Sequence, residues 1–152
     1  VGAALFTQHR LDMLPCPWCI LQRLIYLAIG AVALAGLALR SPAAQRGAAV
    51  LVVLLCGLGI ATALWQHFVA AASASCNLTF ADKLMAATRL PQWLPDVFEA
   101  KASCADAAVR LLGVPYEFWS LALFAAIAAG ALRQLFSTTR YGPRPAPPAS
   151  PR

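Results

Sequence analysis

The chain of 152 residues contains five cysteines, and their spacing suggests thiol redox chemistry. Cys16 and Cys19 form a C-x-x-C pair in the run Pro15-Cys16-Pro17-Trp18-Cys19, just before an apolar segment. That spacing brings two sulfurs within bonding reach in one tight turn. A thiolate at a helix N-terminus is favoured by the helix dipole, and a neighbouring cation favours it further. Arg23 supplies the cation: it follows Cys19 by one helical turn and shares its face. A structural disulfide or half of a zinc site remains open on the pair alone. Zinc, however, wants a second close pair or a His pair, and Cys76 and Cys104 lie far apart in the chain. A c-type haem is excluded because Ile20, not His, follows Cys19. No metal is expected.

Cys76 and Cys104 would close a large polar loop. As a plain staple, such a bond constrains the unfolded ensemble by about 3 to 4 kcal/mol in the chain-entropy model. Beside a C-x-x-C at the membrane edge, the two read instead as a second redox couple. The two couples would then exchange electrons by thiolate attack on disulfide. Cys56 lies within an apolar block and reads as a small packing residue between helices.

The elements that must position these sulfurs are membrane helices. Hydrophobic residues make up 61% of the chain and charged residues 12%, against about 25% charged in an ordinary soluble domain. A soluble domain of this size would lack the polar surface to cover itself. Residues 20–39, 48–65 and 114–132 are long enough, or nearly so, to cross a bilayer, and backbone satisfaction in lipid makes them helices. The opening VGAALFTQ is apolar but brief, and it lacks the basic region of a signal peptide. It reads as the outer end of a helix whose beginning lies outside this sequence. The expected fold is all-α: an integral membrane four-helix bundle, its first helix truncated, with a long outer loop. Residues 1–136 form the membrane unit, with the outer loop at about 68–113. Residues 137–152 are expected to be a disordered, Pro-rich cytoplasmic tail.

Charge fixes the expected orientation. The net charge of +6 is scattered beside apolar blocks, which suits topology rather than nucleic acid binding. Arg40 and Arg46 in one link, and Arg133, Arg140, Arg144 and Arg152 at the end, stand without acids and read as cytoplasmic. In residues 68–113, Lys83, Arg89, Lys101 and Arg110 balance Asp82, Asp96, Glu99 and Asp106, as suits an exported loop. Phe80, Leu84 and Met85 fall at helical spacing, and Trp93 follows among leucines and prolines. This predicts a short amphipathic helix on the bilayer surface, with Trp93 at headgroup level. Cys16, Cys19, Cys76 and Cys104 would all face the compartment where disulfides persist. Glu117, near the outer end of the last helix, receives no role.

The run from Gln8-His9 to Pro15-Cys16-Pro17-Trp18-Cys19 and Ile20-Leu21-Gln22-Arg23 resembles the first active site of the DsbB disulfide bond formation proteins. Trp65-Gln66-His67 resembles that family too, as does the loop from Cys76 through Pro91-Gln92-Trp93-Leu94-Pro95 to Cys104. The likeness covers nearly the whole chain. It implies a multi-pass protein of the bacterial inner membrane with both cysteine pairs on the periplasmic side. The implied activity is that of a thiol:quinone oxidoreductase. It would reoxidise a periplasmic, DsbA-like thioredoxin-fold protein and pass two electrons to a membrane quinone, ubiquinone or menaquinone; DsbA–DsbB–quinone chemistry is the known route that keeps a bacterial periplasm oxidising. The expected partners are that protein, the quinone and the bilayer, with no nucleic acid. By position, Cys76 matches the cysteine attacked by the partner's thiolate, and Cys104 is its loop partner. Cys16 and Cys19 match the quinone-proximal pair, with Cys19 the thiolate at the quinone ring. Arg23 matches the quinone-site arginine, and His67 occupies a family histidine position near the same face.

Two other readings compete. A vitamin K epoxide reductase-like enzyme would carry its loop cysteines before the C-x-x-C, whereas here they follow it. A non-enzymatic multi-span protein with structural disulfides would need Cys19 for stability alone.

Overall fold

A computed structural model describes residues 1–39, 41–71 and 79–140 of the chain. Arg40, Cys76 and the expected Pro-rich tail from Tyr141 onward lie outside the described residues.

Among the described residues, three helices are long and apolar enough to cross a membrane, and they set the frame. The chain opens with the short α1 (Gly2–Arg10), then runs without helix to Cys16. α2 (Pro17–Leu39) begins with a proline, whose missing N–H costs nothing in a first turn. α3 (Pro42–Trp65) starts the same way, with Ser41 Oγ accepting from the Ala44 N–H at 3.1 Å. A π-helical turn (Gln66–Ala70) extends it, so one continuous rod spans Pro42–Ala70. The last long helix, α7 (Tyr116–Arg140), passes the expected boundary of the membrane unit at residue 136.

Between the rods, three short helices fold over the mouth of α2. α4 (Phe80–Thr88) carries a capping box: Thr79 and Asp82 satisfy each other's backbone N–H. Arg89, at φ +56°, ends it. Pro91 and Pro95 lie in the first turns of α5 (Leu90–Trp93) and α6 (Pro95–Phe98). The amphipathic segment predicted from Phe80, Leu84 and Met85 is therefore helical. Met85 points inward with Ile20 and Phe98, while Trp93 is 80% exposed. The sequence did not suggest the hairpin of β1 (Arg110–Leu111) and β2 (Val114–Pro115). Two-residue strands leave no alternation to detect. Leu112 and Gly113 both take positive φ in the turn, which is strained for leucine.

α3 is the central rod, packed against both α2 and α7. Close approach depends on small residues, as expected between membrane helices. Phe124 of α7 lies on Gly59, where a Cβ would come within 2.4 Å of the ring. The same ring stacks on Tyr26 of α2 at a centroid distance of 4.1 Å. Tyr26 Oη donates to the Ser120 carbonyl at 2.8 Å, which closes the triangle. Leu34, Leu37, Leu54, Leu58 and Leu123 face outward. Exposed leucines along every rod are what a lipid-embedded bundle requires. The rods alternate in direction, so the start of α2, the end of α3 and the start of α7 share one end of the bundle.

Candidate active site

At that end the chain gathers its sulfurs. Cys16 sits just before α2, fully buried, with its Sγ 2.8 Å from Cys19 Sγ and no bond between them. The Cys19 backbone N–H donates to Cys16 Sγ at 3.3 Å. Cys16 also hydrogen-bonds the thiol of Cys104, which is buried beside it in the same cluster. The backbone holds this approach in place. The N–H groups of Lys101 and Ala102 donate to the Pro15 carbonyl at 3.0 and 3.3 Å, tying the loop to the residue before Cys16. The loop sulfur expected in a water-facing segment is thus packed against the C-x-x-C. Cys56, in contrast, is buried within α3 in the core, as a packing residue would be.

The thiols of Cys16 and Cys104 are polarised against each other. Cys16 is raised above the usual thiol range, because it donates first to Cys104, then to Cys19, and is buried. Cys104 is lowered, because it accepts from Cys16, and this outweighs its burial. The arrangement favours a protonated Cys16 and a nucleophilic Cys104.

On its other side, Cys19 lines a cavity of about 270 Å³ between α1, α2, α7 and the loop. Met13, Leu14, Leu111, Trp119 and Leu123 supply apolar walls. The polar groups on the lining include Gln22, Arg23, Gln66, Tyr116 and Glu117 beside Cys19, with the hydroxyl residues Thr7, Tyr26 and Ser120. Arg23 is only 6% exposed and donates from Nη1 to the Val97 carbonyl at 3.0 Å, which ties α2 to α6. A cavity of this size, apolar with a few convergent polar groups, fits the ring of a small lipid-soluble molecule. Its chemistry suits a quinone head: a sulfur to supply electrons and a guanidinium to face a carbonyl oxygen that gains charge.

His67 is not among the described lining residues. Its Nδ1 lies 2.7 Å from Glu117 Oε1, and its ring packs edge-on against Phe118. Glu117, 7% exposed, is the carboxylate that reaches the cavity, so His67 meets the site through it. Sequence reasoning also passed over Gln22 and Gln66. Both amides are buried; Gln22 Nε2 donates to Gln66 Oε1 at 2.9 Å, and Gln66 Nε2 donates to Cys19 Sγ at 3.3 Å. The available signal was a pair of glutamines flanking the Cys19–Arg23 turn and the His67 position. Trp18 and Trp65 pack at 6.3 Å and brace the same two helix ends. Among the described residues, no cluster of His, Cys, Asp and Glu is arranged to hold a metal ion.

Comparison with known proteins finds relatives along most of the chain. A family model described as disulfide bond formation protein DsbB matches residues 1–134. A disulfide bond formation protein B of Ralstonia nicotianae is 35% identical over 129 residues, covering 80% of this chain and 76% of its own. Its counterpart in Dechloromonas aromatica is 37% identical over 139 residues, covering 87% of this chain and 80% of its own. One from Nitrosospira multiformis is 32% identical over 133 residues, covering 85% and 79%.

Proposed function

The chain belongs to the DsbB family of disulfide bond formation proteins, and from that premise we propose that it is a thiol:quinone oxidoreductase. It is a membrane disulfide-forming oxidoreductase. The finer reading gives it a periplasmic, DsbA-like thioredoxin-fold partner as electron source and a membrane quinone, ubiquinone or menaquinone, as sink. Both cysteine pairs then lie on the periplasmic face of a bacterial inner membrane.

One observation carries this reading: Cys16 contacts Cys104 on one side and Cys19 on the other, and Cys19 lines the apolar cavity. The relay follows from that order. The partner's thiolate attacks Cys76 of a Cys76–Cys104 disulfide; a mixed disulfide forms and Cys104 leaves as thiolate. Cys104 then attacks Cys16 of a Cys16–Cys19 disulfide. The Cys104–Cys16 bond forms, the Cys16–Cys19 bond breaks, and Cys19 takes the electron pair. The partner's second thiol resolves the mixed disulfide and frees Cys76. Cys76 attacks Cys104, restores the loop bond and leaves Cys16 reduced. The partner is now a disulfide, and Cys16 with Cys19 holds its two electrons.

The thiol polarisation favours these roles. In the reduced protein Cys16 is held above the usual thiol range, which makes it the poorer leaving group of its pair, so exchange runs through Cys16 and expels Cys19. A quinone bound in the cavity supplies an acceptor of two electrons and two protons. Cys19, Arg23, Gln22 and Tyr116 are the polar groups that would hold it, and the apolar walls exclude water from the exchange. The test is quinone reduction by the purified protein given a reduced thioredoxin-fold oxidant and a short-chain ubiquinone. Wild type reduces one quinone per partner disulfide formed, and Cys19→Ser reduces none. Equal behaviour of the two proteins would refute the reading.

A further inference from the structure

Cys19 must carry a negative sulfur in surroundings with few polar groups. A charge moved out of water is costly unless donors reach it. Its own backbone N–H is directed to Cys16 Sγ rather than to its own sulfur. Two side chains donate to Cys19 Sγ: Cys16 through its thiol at 2.8 Å, which is lost whenever Cys16 is in a disulfide, and Gln66 through Nε2 at 3.3 Å. An amide has a donor end and an acceptor end, and only the NH2 end favours a thiolate. Gln22 selects that end: its own NH2 donates to Gln66 Oε1 at 2.9 Å and so occupies the carbonyl. Both side chains are buried and come from different rods, α2 and the π turn after α3. In that turn Gln66 faces α2 while its neighbour His67 faces α7. π turns recur at functional sites because they re-aim side chains in this way.

We propose that the Gln22–Gln66 amide pair is a fixed hydrogen-bond donor that holds the Cys19 sulfur as a thiolate, with Gln66 touching the reacting atom and Gln22 positioning it. The inference rests on the reading above in one respect, that Cys19 is the sulfur that hands on the electrons. An interhelical glutamine pair kept for packing accounts for the 2.9 Å bond but not for the second contact, to sulfur. The other titratable groups around Cys19 are Cys16 before α2, Arg23 and Tyr26 on α2, Cys104 in the loop, and Tyr116 and Glu117 on α7. The variants below leave all of them in place.

The experiment alkylates the reduced, detergent-solubilised full chain with iodoacetamide across pH and follows Cys19 by peptide mass spectrometry. It needs neither quinone nor partner, so its failure is separable from failure of the quinone reading. Gln66→Met keeps side-chain length and removes the donor; the pH midpoint for Cys19 rises by about one unit. Gln22→Met leaves Gln66 able to turn over, so the midpoint rises by less. The double variant rises no further than Gln66→Met alone, because Gln22 acts only through Gln66. Thermal melting checks that each variant folds, and if Gln66→Met does not, the rise in Gln22→Met carries the test. An unmoved midpoint in a folded Gln66→Met protein, or in Gln22→Met when that variant stands alone, overturns the proposal. A double variant that adds the full Gln22 effect to the Gln66 effect overturns the positioning role.

Discussion

Cys16 and Cys19 are separated by one helical turn, yet they occupy opposite environments. Cys16 is fully buried and bounded by sulfur on two sides, a place with room for exchange between cysteines and nothing else. Cys19 opens onto an apolar cavity with one guanidinium, one carboxylate and two buried amides nearby. The difference teaches that a C-x-x-C is not one site but a junction. Cys16 faces the loop, and Cys19 faces the apolar cavity. The helix start at Pro17 sets this division, because it turns the two side chains to different sides of one rod.

That contrast can be broken from either side. Arg23→Met should have the largest effect: loss of the cavity's cation lowers quinone reduction by about 10²- to 10³-fold, while alkylation of Cys16 and Cys104 keeps its wild-type pH dependence. An equal disturbance of both readouts would mean the two regions are not separate. Gly59→Leu drives a side chain into the Phe124 ring, which stacks on Tyr26 at the cavity's inner wall. Overpacking of this kind costs about 1 to 3 kcal/mol, seen as a lower melting temperature, with the sulfur cluster intact by alkylation.

Smaller effects follow on the sulfur side. Cys104 is lowered chiefly because Cys16 donates to it. Cys16→Ala removes that donor, so the Cys104 pKa rises and less thiolate is present at neutral pH. Its alkylation near pH 7 should slow several-fold, and an unchanged rate would remove the polarity from the relay. His67→Ala should be mildest, a few-fold loss in quinone reduction, because His67 reaches the cavity only through Glu117. An effect as large as that of Arg23→Met would place His67 in direct contact with the acceptor.

Much of the architecture was legible in the sequence because lipid imposes a strong rule. Uninterrupted apolar runs must become helices, and the runs at residues 20–39, 48–65 and 114–132 fall within the three rods, save for the two residues of β2 that precede α7. The first two rods begin earlier than apolar character alone indicates, since Pro17 and Pro42 open helices that hydropathy does not mark. The hairpin around Leu112 was illegible, because its turn uses a leucine where Asn or Asp would have signalled it. At the candidate site, the C-x-x-C and Arg23 stood out by spacing, and Cys19 and Arg23 reach the cavity. Gln22 and Gln66 did not, because a neutral amide carries no spacing rule and becomes informative only when two of them meet across helices. Glu117 was visible as a charge in an apolar helix, but its link to His67 is a tertiary fact. The packing of Cys104 against Cys16 was likewise hidden, because it depends on backbone bonds from Lys101 and Ala102 to Pro15.

The most direct test of the account is rapid acid quenching of the reaction with reduced partner, followed by mass mapping of every disulfide formed. A transient bond between Cys104 and Cys16, appearing before Cys19 becomes fully reduced and vanishing at completion, is the predicted result. A loop cysteine caught on Cys19 instead, or electrons reaching the acceptor with no bond ever crossing between the two pairs, would contradict it.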